Sequence, residues 1–258
     1  MLGGRMMFDG FPKYFRLFAE LEDLVKQKFP QEYEIFRFYN MDLAFKLRDV
    51  ELICLRYEDD KKKWKQFGKR QNRFMENVKS DSLSQKELQQ ESEILGKQFI
   101  QYSELLLLDI DSFYVFARIL LDRIPFLLRP LYKDIVSKQD VKIRDFKTHL
   151  DWFQKNPESV LDSAFYDRMI SFREWFIEKL RDPRNELIVH PEWGHVRSEI
   201  SFNGKVKLLR YKPHTIGEKR VWTMTDSMEL QDISKFFKKI IEFLDFLSKY
   251  FLEKLSSS

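Results

Sequence analysis

Residues that end helices are scarce in this chain, which has eight glycines and eight prolines among 258 residues. So few breaks favour long helices over a β sandwich, whose many turns need glycine and proline. Apolar residues also recur at three- and four-residue spacing, and this helical pattern covers Phe11 to Lys28, about Glu32 to Lys79, and Gln85 toward Ile124. We therefore expect a mainly α-helical fold, organised as an antiparallel helical bundle.

A long helical hairpin is predicted in the first half of the chain. Ser80-Asp81-Ser82 is typical of a turn, and Ser84 with Glu87 has the spacing of a capping box at the start of the next helix. Charged residues crowd the hairpin tip, residues 58–90. Such a tip is either a solvated stalk or a contact for nucleic acid or a partner protein.

Polar residues interrupt the apolar helix predicted before Pro125. Asp111, Arg118 and Asp122 fall within about 20° of one line at about 100° per residue, and Tyr114 lies near that line. Two interpretations stay open. The line either faces solvent, with Arg118 and Asp122 paired at i,i+4 spacing, or it faces a polar pocket and orients catalytic groups on another helix.

An alternating pattern replaces the helical one late in the chain. Ser198 to Phe202 alternates polar and apolar residues, and Asn203-Gly204 follows, a pair that suits the positive φ angles of a tight hairpin turn. Lys219 to Thr225 could add a third strand. A small β-hairpin is therefore expected as an insertion at about 196–225.

Two further amphipathic helices flank this insertion. The first is predicted from Leu161 to Leu180, because its apolar residues share one face. The second has a continuous apolar face from Ile233 to Phe251, and we expect Asp226 or Ser227 to cap its start.

Composition excludes several classes of protein. The single cysteine, Cys54, excludes an intrachain disulfide and a cysteine-based zinc site. The formal net charge of +4 is too mild to indicate nucleic-acid binding unless the basic residues cluster. The most apolar stretch, Leu105 to Leu128, carries five charged residues, too many for a bilayer span. We expect a cytoplasmic protein without a membrane partner.

The candidates for chemistry begin directly after the helix predicted to end at Leu180. Asp182 is a favoured N-cap, and Pro183 suits the first position of a helix. A new short helix is therefore predicted to start at Asp182, with Arg184 and Asn185 in its first turn.

A histidine closes the same segment. His190 precedes Pro191, which disfavours a helical conformation, so we expect the histidine at the end of a short helix. Leu187 to Val189 are apolar and suit a buried position. Arg184 and His190 would point about 120° apart on an ideal helix. They converge only if the helix start is distorted or a second chain completes the site.

The stretch Arg184-Asn185-Glu186-Leu187-Ile188-Val189-His190 resembles the signature of the HEPN superfamily, the higher eukaryotes and prokaryotes nucleotide-binding domains. In that family Asn, Asp or His usually follows the arginine, and four to six residues separate it from the histidine; five do so here. The resemblance covers about Gln85 to Leu255. It implies a HEPN-like helical bundle over residues 81–258, with residues 1–80 as an N-terminal helical extension.

Two other histidine patterns are less favoured. Arg144 to His149 also fits the loose signature, but its interior is polar and we expect it on the surface. His190 and His195 could form a metal pair, but no third ligand can be assigned, so no metal site is predicted.

The resemblance implies a metal-independent endoribonuclease that needs no cofactor. RNA would be cleaved by 2′-OH attack, with His190 as acid or base, Arg184 stabilising the phosphorane and Asn185 orienting the phosphate or the histidine. One histidine cannot readily transfer both protons, so a homodimer with two facing motifs is expected. The expected biological role of such an enzyme is that of a toxin or phage-defence effector, with a protein antitoxin as a possible partner. The alternatives are a non-catalytic nucleotide- or RNA-binding module, a protein-interaction module, or a structural role in which Arg184 pairs with Glu178 or Asp182.

Overall fold

The computed structural model describes residues 10–129, 145–155, 163–185, 195–201, 205–216, 219–230 and 232–257. Most of these residues are helical, so the predicted mainly α fold with an inserted β element is confirmed. The elements are, in order, α1 (Gly10–Lys28), α2 (Tyr33–Lys79), α3 (Gln85–Leu121), α4 (Ile124–Leu128), α5 (Phe146–Lys155), α6 (Ser163–Phe176), a π-helical turn (Ile177–Arg181), α7 (Asp182–Arg184), β1 (His195–Ile200), β2 (Val206–Ile216), β3 (Lys219–Glu229) and α8 (Ile233–Ser257).

The hairpin of α2 and α3 has the predicted turn and cap. Asp81 adopts a φ of 52° between the two helices, a left-handed conformation that aspartate tolerates better than most residues. Glu87 Oε2 accepts a hydrogen bond from Ser84 N at 2.8 Å, and Ser84 Oγ accepts one from Glu87 N at 3.4 Å. These two bonds form a capping box, which satisfies backbone donors that the first helical turn cannot.

The β element is a three-stranded antiparallel sheet in the order β1-β2-β3, so the predicted third strand is confirmed. Ile200 pairs with Val206, and Ser201 N donates to Lys205 O at 2.9 Å, which closes the β1–β2 hairpin. The predicted turn residues Asn203-Gly204 lie outside the described residues.

The predicted cap of the last helix is wrong. Asp226 and Ser227 belong to β3, where they pair with Arg210 and Leu209 of β2. Pairing with the eleven-residue strand β2 overrides the local capping preference of these two residues. The helix starts later, where Asp232 Oδ1 accepts a hydrogen bond from Ser234 N at 3.0 Å.

The chain divides into two compact units. Unit one consists of Met1–Glu51, Phe116–Glu178 and Phe237–Ser258, and unit two of Leu52–Val115 and Lys179–Phe236. The domain boundary that we predict at residue 80 stays a prediction.

Aromatic rings form much of the core of each unit. In unit one, Phe172 stacks on Phe243 with ring centroids 3.7 Å apart, and Phe146 meets Phe176 edge to face at 5.1 Å. In unit two, the fully buried Trp64 lies 5.6 Å from Phe99. Its indole Nε1 donates to Ser201 O at 2.9 Å, which holds the end of β1 against α2.

Candidate functional site

Arg184 and Asn185 lie at the end of α7, in unit two. Arg184 Nη1 donates a hydrogen bond to Asn185 Oδ1 at 3.3 Å. The Arg184 side chain is half-buried, and its Nε is buried without a hydrogen-bond partner among the described residues. Burying a charged donor without an acceptor is unfavourable. An oxygen acceptor brought by another molecule would therefore bind here favourably.

A π-helical turn leads into this segment, so Asp182 does not cap a new helix as predicted; α7 continues the helical path of Ile177–Arg181. Arg181 is itself helical, with φ −68° and ψ −50°, and no side-chain cap is present. Pro183 is typical of a helix start, but here it lies inside a continuous helical path. Its ring would collide with the carbonyl four residues earlier in a regular α-helix. The wider turn of Ile177–Arg181 relieves that collision without ending the helix.

The structural role that would hold Arg184 in an ion pair is not observed. Asp182 Oδ1 lies 3.4 Å from Arg181 Nη1 instead. Within the described parts of the chain, Arg184 forms no ion pair with Glu178, Asp182 or any other acidic side chain. Its positive charge therefore lacks the carboxylate partner that half-buried arginines usually have.

The third motif residue, His190, lies outside the described residues, as does the whole stretch 186–194. The distance from Arg184 to His190 and the facing of two motifs therefore stay predictions.

Arg118 and Asp122 form the predicted pair and also hold another helix. Arg118 Nε lies 2.9 Å from Asp122 Oδ2, and Asp122 Oδ1 accepts from Phe146 N at 2.9 Å, at the first turn of α5. Arg118 Nη2 is 3.6 Å from Asp145, and the guanidinium lies 5.1 Å from the ring centre of Phe176. Burial raises the pKa of Asp122, against the Phe146 N–H and Arg118, which lower it. The two side chains are thus only partly exposed and fix the start of α5 within unit one.

The other two residues of the predicted polar line, Asp111 and Tyr114, belong to unit two and differ in their burial. Asp111 is exposed. Tyr114 is fully buried, with its ring 6.0 Å from Phe113 and 5.9 Å from Phe236. Its hydroxyl has no hydrogen-bond partner among the described residues, and burial raises the pKa of the phenol well above its usual range. We assign Tyr114 to the core rather than to proton transfer.

The expectation that the Arg144 to His149 segment lies on the surface is wrong for its histidine. His149 is fully buried in α5, with its ring 4.8 Å from the ring of Phe153 and 6.4 Å from that of Phe146. Burial lowers the pKa of His149 to about 3. The polar neighbours in sequence suggest exposure, but the helix turns this one position into the aromatic core.

The sequence patterns do not predict a buried pair of carboxylates in unit two. Asp109 and Asp60 are both buried, and Arg56 Nε donates to Asp109 Oδ1. Burial raises the pKa of Asp109; Arg56 lowers it, and the nearby Asp60 raises it further. The available signal is the position of Asp109 in the most apolar stretch of the chain. Asp60 gives no such signal, because it lies among the charged residues of the hairpin tip, residues 58–90.

No family model, no curated protein and no solved structure matches this chain. The HEPN resemblance therefore rests on the motif residues and their helical context. Among the described residues, no helix is long and apolar enough to cross a membrane. The same residues contain no group of three or more His, Cys, Asp or Glu side chains that could hold a metal ion.

Proposed function

We propose that the protein is a metal-independent endoribonuclease of the HEPN type, with Arg184, Asn185 and His190 as its catalytic residues. One observation carries the proposal. Arg184 is half-buried beside Asn185, has no acidic partner among the described residues, and has a buried Nε without an acceptor. Such a guanidinium is suited to an oxyanion, and a phosphate presents two oxygens to the planar arginine fork.

The proposed reaction is an internal transfer at phosphorus. The RNA 2′-oxygen forms a bond to phosphorus while the bond from phosphorus to the 5′-oxygen breaks. The 2′-OH loses its proton to a base, and the leaving 5′-oxygen gains one from an acid. The products are a 2′,3′-cyclic phosphate and a free 5′-OH. Histidine side chains ordinarily titrate near neutral pH, so His190 is suited to serve as the base or the acid. Arg184 stabilises the negative charge that develops on the phosphorane.

Two proton transfers and one histidine per chain lead us to propose a homodimer. In this arrangement two segments 184–190 face each other, one histidine acts as base and the other as acid. The proposed biological setting is a toxin or phage-defence effector in the cytoplasm, held inactive by a protein antitoxin. Sedimentation of the purified protein tests the dimer directly, because a monomer would leave each site with one histidine.

Toxicity on expression in a bacterial host is the first test of the function. We expect the wild-type protein to arrest growth, and His190→Ala to restore growth at an equal protein level, because general acid–base catalysis contributes about 10²–10⁴-fold to a rate. His195→Ala is the matched control and should remain toxic. A His190→Ala protein that is as toxic as the wild type would remove His190 from the mechanism. Loss of toxicity in His195→Ala as well would instead favour the His190/His195 metal pair.

A groove between α2 and α3 favours a second candidate function, a protein-interaction module. A cavity of about 380 Å³ lies in unit two and is mainly apolar. Gln71 Oε1 in its wall is buried without a hydrogen-bond partner among the described residues, so it can accept one bond from a ligand. The apolar lining suits the apolar face of an amphipathic helix as the occupant. The groove is lined by Phe67, Gln71, Phe74, Met75, Ser92, Leu95, Gly96 and Phe99.

Substitutions at Gly96 test this candidate with little risk to the fold. A Cβ added at Gly96 would meet no atom within 4 Å, and glycine is a poor helix former. We therefore expect Gly96→Leu to fill the groove and Gly96→Ala to leave most of it open. The probe is a fluorescent synthetic helix with leucine at every third or fourth position and glutamate elsewhere. Loss of its binding in Gly96→Leu alone supports the candidate, whereas no binding to the wild type removes it.

A further inference from the structure

We propose that one exposed face of α2 binds the phosphodiester backbone of a nucleic-acid duplex. The face consists of Lys62, Lys65, Lys69 and Arg73, which we call the α2 cation row. All four side chains are exposed. The row lies before Gln85, outside the stretch that resembles the HEPN family, and it involves none of the proposed catalytic residues. The inference therefore stands without the ribonuclease activity.

Helix geometry aligns these four cations. Their spacing of three, four and four residues keeps them within an arc of about 80°, and their first and last Cα atoms are about 16 Å apart along the axis. The row lies opposite the side of α2 that carries the buried Trp64 and Phe67. No acidic residue lies between Lys62 and Arg73 in the sequence. Glu58 and Glu76 lie about one helical turn beyond the two ends of the row.

Three cations of the hairpin that lie outside the row form ion pairs with acidic residues. Lys63 Nζ lies 2.8 Å from Asp59, Arg70 Nε lies 2.8 Å from Glu91, and Lys97 Nζ lies 2.6 Å from Glu93. In the part of the chain that is described, no ion pair joins Lys62, Lys65, Lys69 or Arg73 to a carboxylate. The hairpin thus neutralises the cations beside the row and leaves the row charged.

The row carries an electrostatic cost that an anion would relieve. Lys65 and Lys69 are one helical turn apart, as are Lys69 and Arg73, and like charges at this spacing destabilise a helix. A duplex presents one negative charge per about 1.7 Å of its axis, so a row about 16 Å long can contact several phosphates at once. Release of the counterions held by those phosphates would drive binding.

The chemistry of the face favours a duplex over other polyanions. Single-strand binding surfaces use aromatic side chains on which bases stack, but Trp64 and Phe67 are buried on the other side of the helix. Helices that lie on membranes expose an apolar face beside the basic one. Between Lys62 and Arg73, the remaining exposed side chains on this side of the helix are the polar Gln66 and Asn72. We therefore expect the row to contact the phosphates of the duplex and not the edges of its bases. Binding should then not depend on the nucleotide sequence.

Fluorescence anisotropy with a labelled 20-base-pair duplex tests the inference across 50 to 200 mM salt. Four phosphate contacts predict a slope of about −3.6 in a plot of log K against log salt, a loss of about 10²-fold over this range. The row variant Lys62→Gln/Lys65→Gln/Lys69→Gln/Arg73→Gln should lose most of the slope. The control variant Lys97→Gln/Lys205→Gln/Lys249→Gln/Lys254→Gln changes the net charge equally but removes cations that have an acidic or aromatic partner. It should keep the wild-type slope.

The experiment is done once with duplex RNA and once with duplex DNA of the same sequence. Comparing the two affinities shows which nucleic acid supplies the phosphates that the row contacts. All proteins carry His190→Ala, so that RNA stays intact, and DNA lacks the 2′-OH that the proposed cleavage needs. Binding to either duplex that the row variant alone loses supports the inference, and the more tightly bound duplex is the ligand. Equal losses in the row and control variants overturn it. Tighter binding to single-stranded RNA, or to vesicles containing phosphatidylserine, than to both duplexes also overturns it.

Discussion

Arg184→Ala is expected to lower the rate of RNA cleavage by about 10²–10³-fold, the usual effect of removing one preorganised donor to a developing oxyanion. The expected cause is the loss of the guanidinium that Asn185 orients and that no described carboxylate neutralises. Cleavage of a fluorophore–quencher RNA in the presence of EDTA measures this effect without a contribution from divalent metal. Arg184→Lys keeps the charge but loses the fork of donors, so it should recover only part of the rate.

Arg181→Ala is the matched control for this prediction. Arg181 lies three residues earlier on the same helical path, and its guanidinium pairs with Asp182. Its replacement should leave the cleavage rate and the far-ultraviolet circular dichroism unchanged. Cleavage by Arg184→Ala at the wild-type rate would remove the residue from the site. Equal losses in both variants would mean that cleavage needs only the positive charge of this helical segment.

The parts of the fold that depend on local signals follow from the sequence. Apolar spacing predicts α2 and α3 because a helix that packs on one side must repeat its apolar residues every three or four positions. Ser84 and Glu87 predict the start of α3 because a capping box uses only atoms within one turn. The β1–β2 hairpin is equally local, since the alternation of its strands and the short connection between them set its position.

The parts that depend on distant residues do not follow from the sequence. Asp226 has the preference of a helix cap, but its place in the structure is decided by Arg210, sixteen residues earlier. Pro183 has the preference of a helix start, but the buried Leu180 on the preceding turn holds the chain in a continuous helix that widens to admit the proline. In both cases a local preference is weaker than the packing or pairing around it.

Only part of the candidate site can likewise be predicted from the sequence. Arg184 and Asn185 can be selected from the sequence because the motif is contiguous, but the absence of an acidic partner for Arg184 is a property of the packed chain. Asp122 could be paired with Arg118 from their spacing alone. Its bond to Phe146 N, which turns a surface pair into an anchor for α5, joins residues 24 apart in sequence and has no local signal.

The unfolding free energy is expected to decrease as the pH falls below about 6.5, because His149 is buried in an aromatic core. Its pKa is about 3 in the fold and near 6.5 in the unfolded chain. Between these values the unfolded chain binds a proton that the folded chain does not, so the stability present above pH 6.5 is lost as the pH falls toward 3. One such proton changes the unfolding free energy by about 1.4 kcal/mol per pH unit.

Urea unfolding at pH 7, 6, 5 and 4.5 measures this contribution as the difference between the wild type and His149→Leu. Acidic residues also titrate in this range, but they are common to both proteins, so the difference isolates His149. The wild type should lose stability relative to His149→Leu by about 2–3 kcal/mol from pH 6.5 to pH 4.5. His149→Gln does not titrate either, so it should follow the slope of His149→Leu at a different absolute stability. Parallel curves for the wild type and both variants would contradict this prediction, because they would mean that His149 takes up its proton at the same pH in the folded protein as in the unfolded chain.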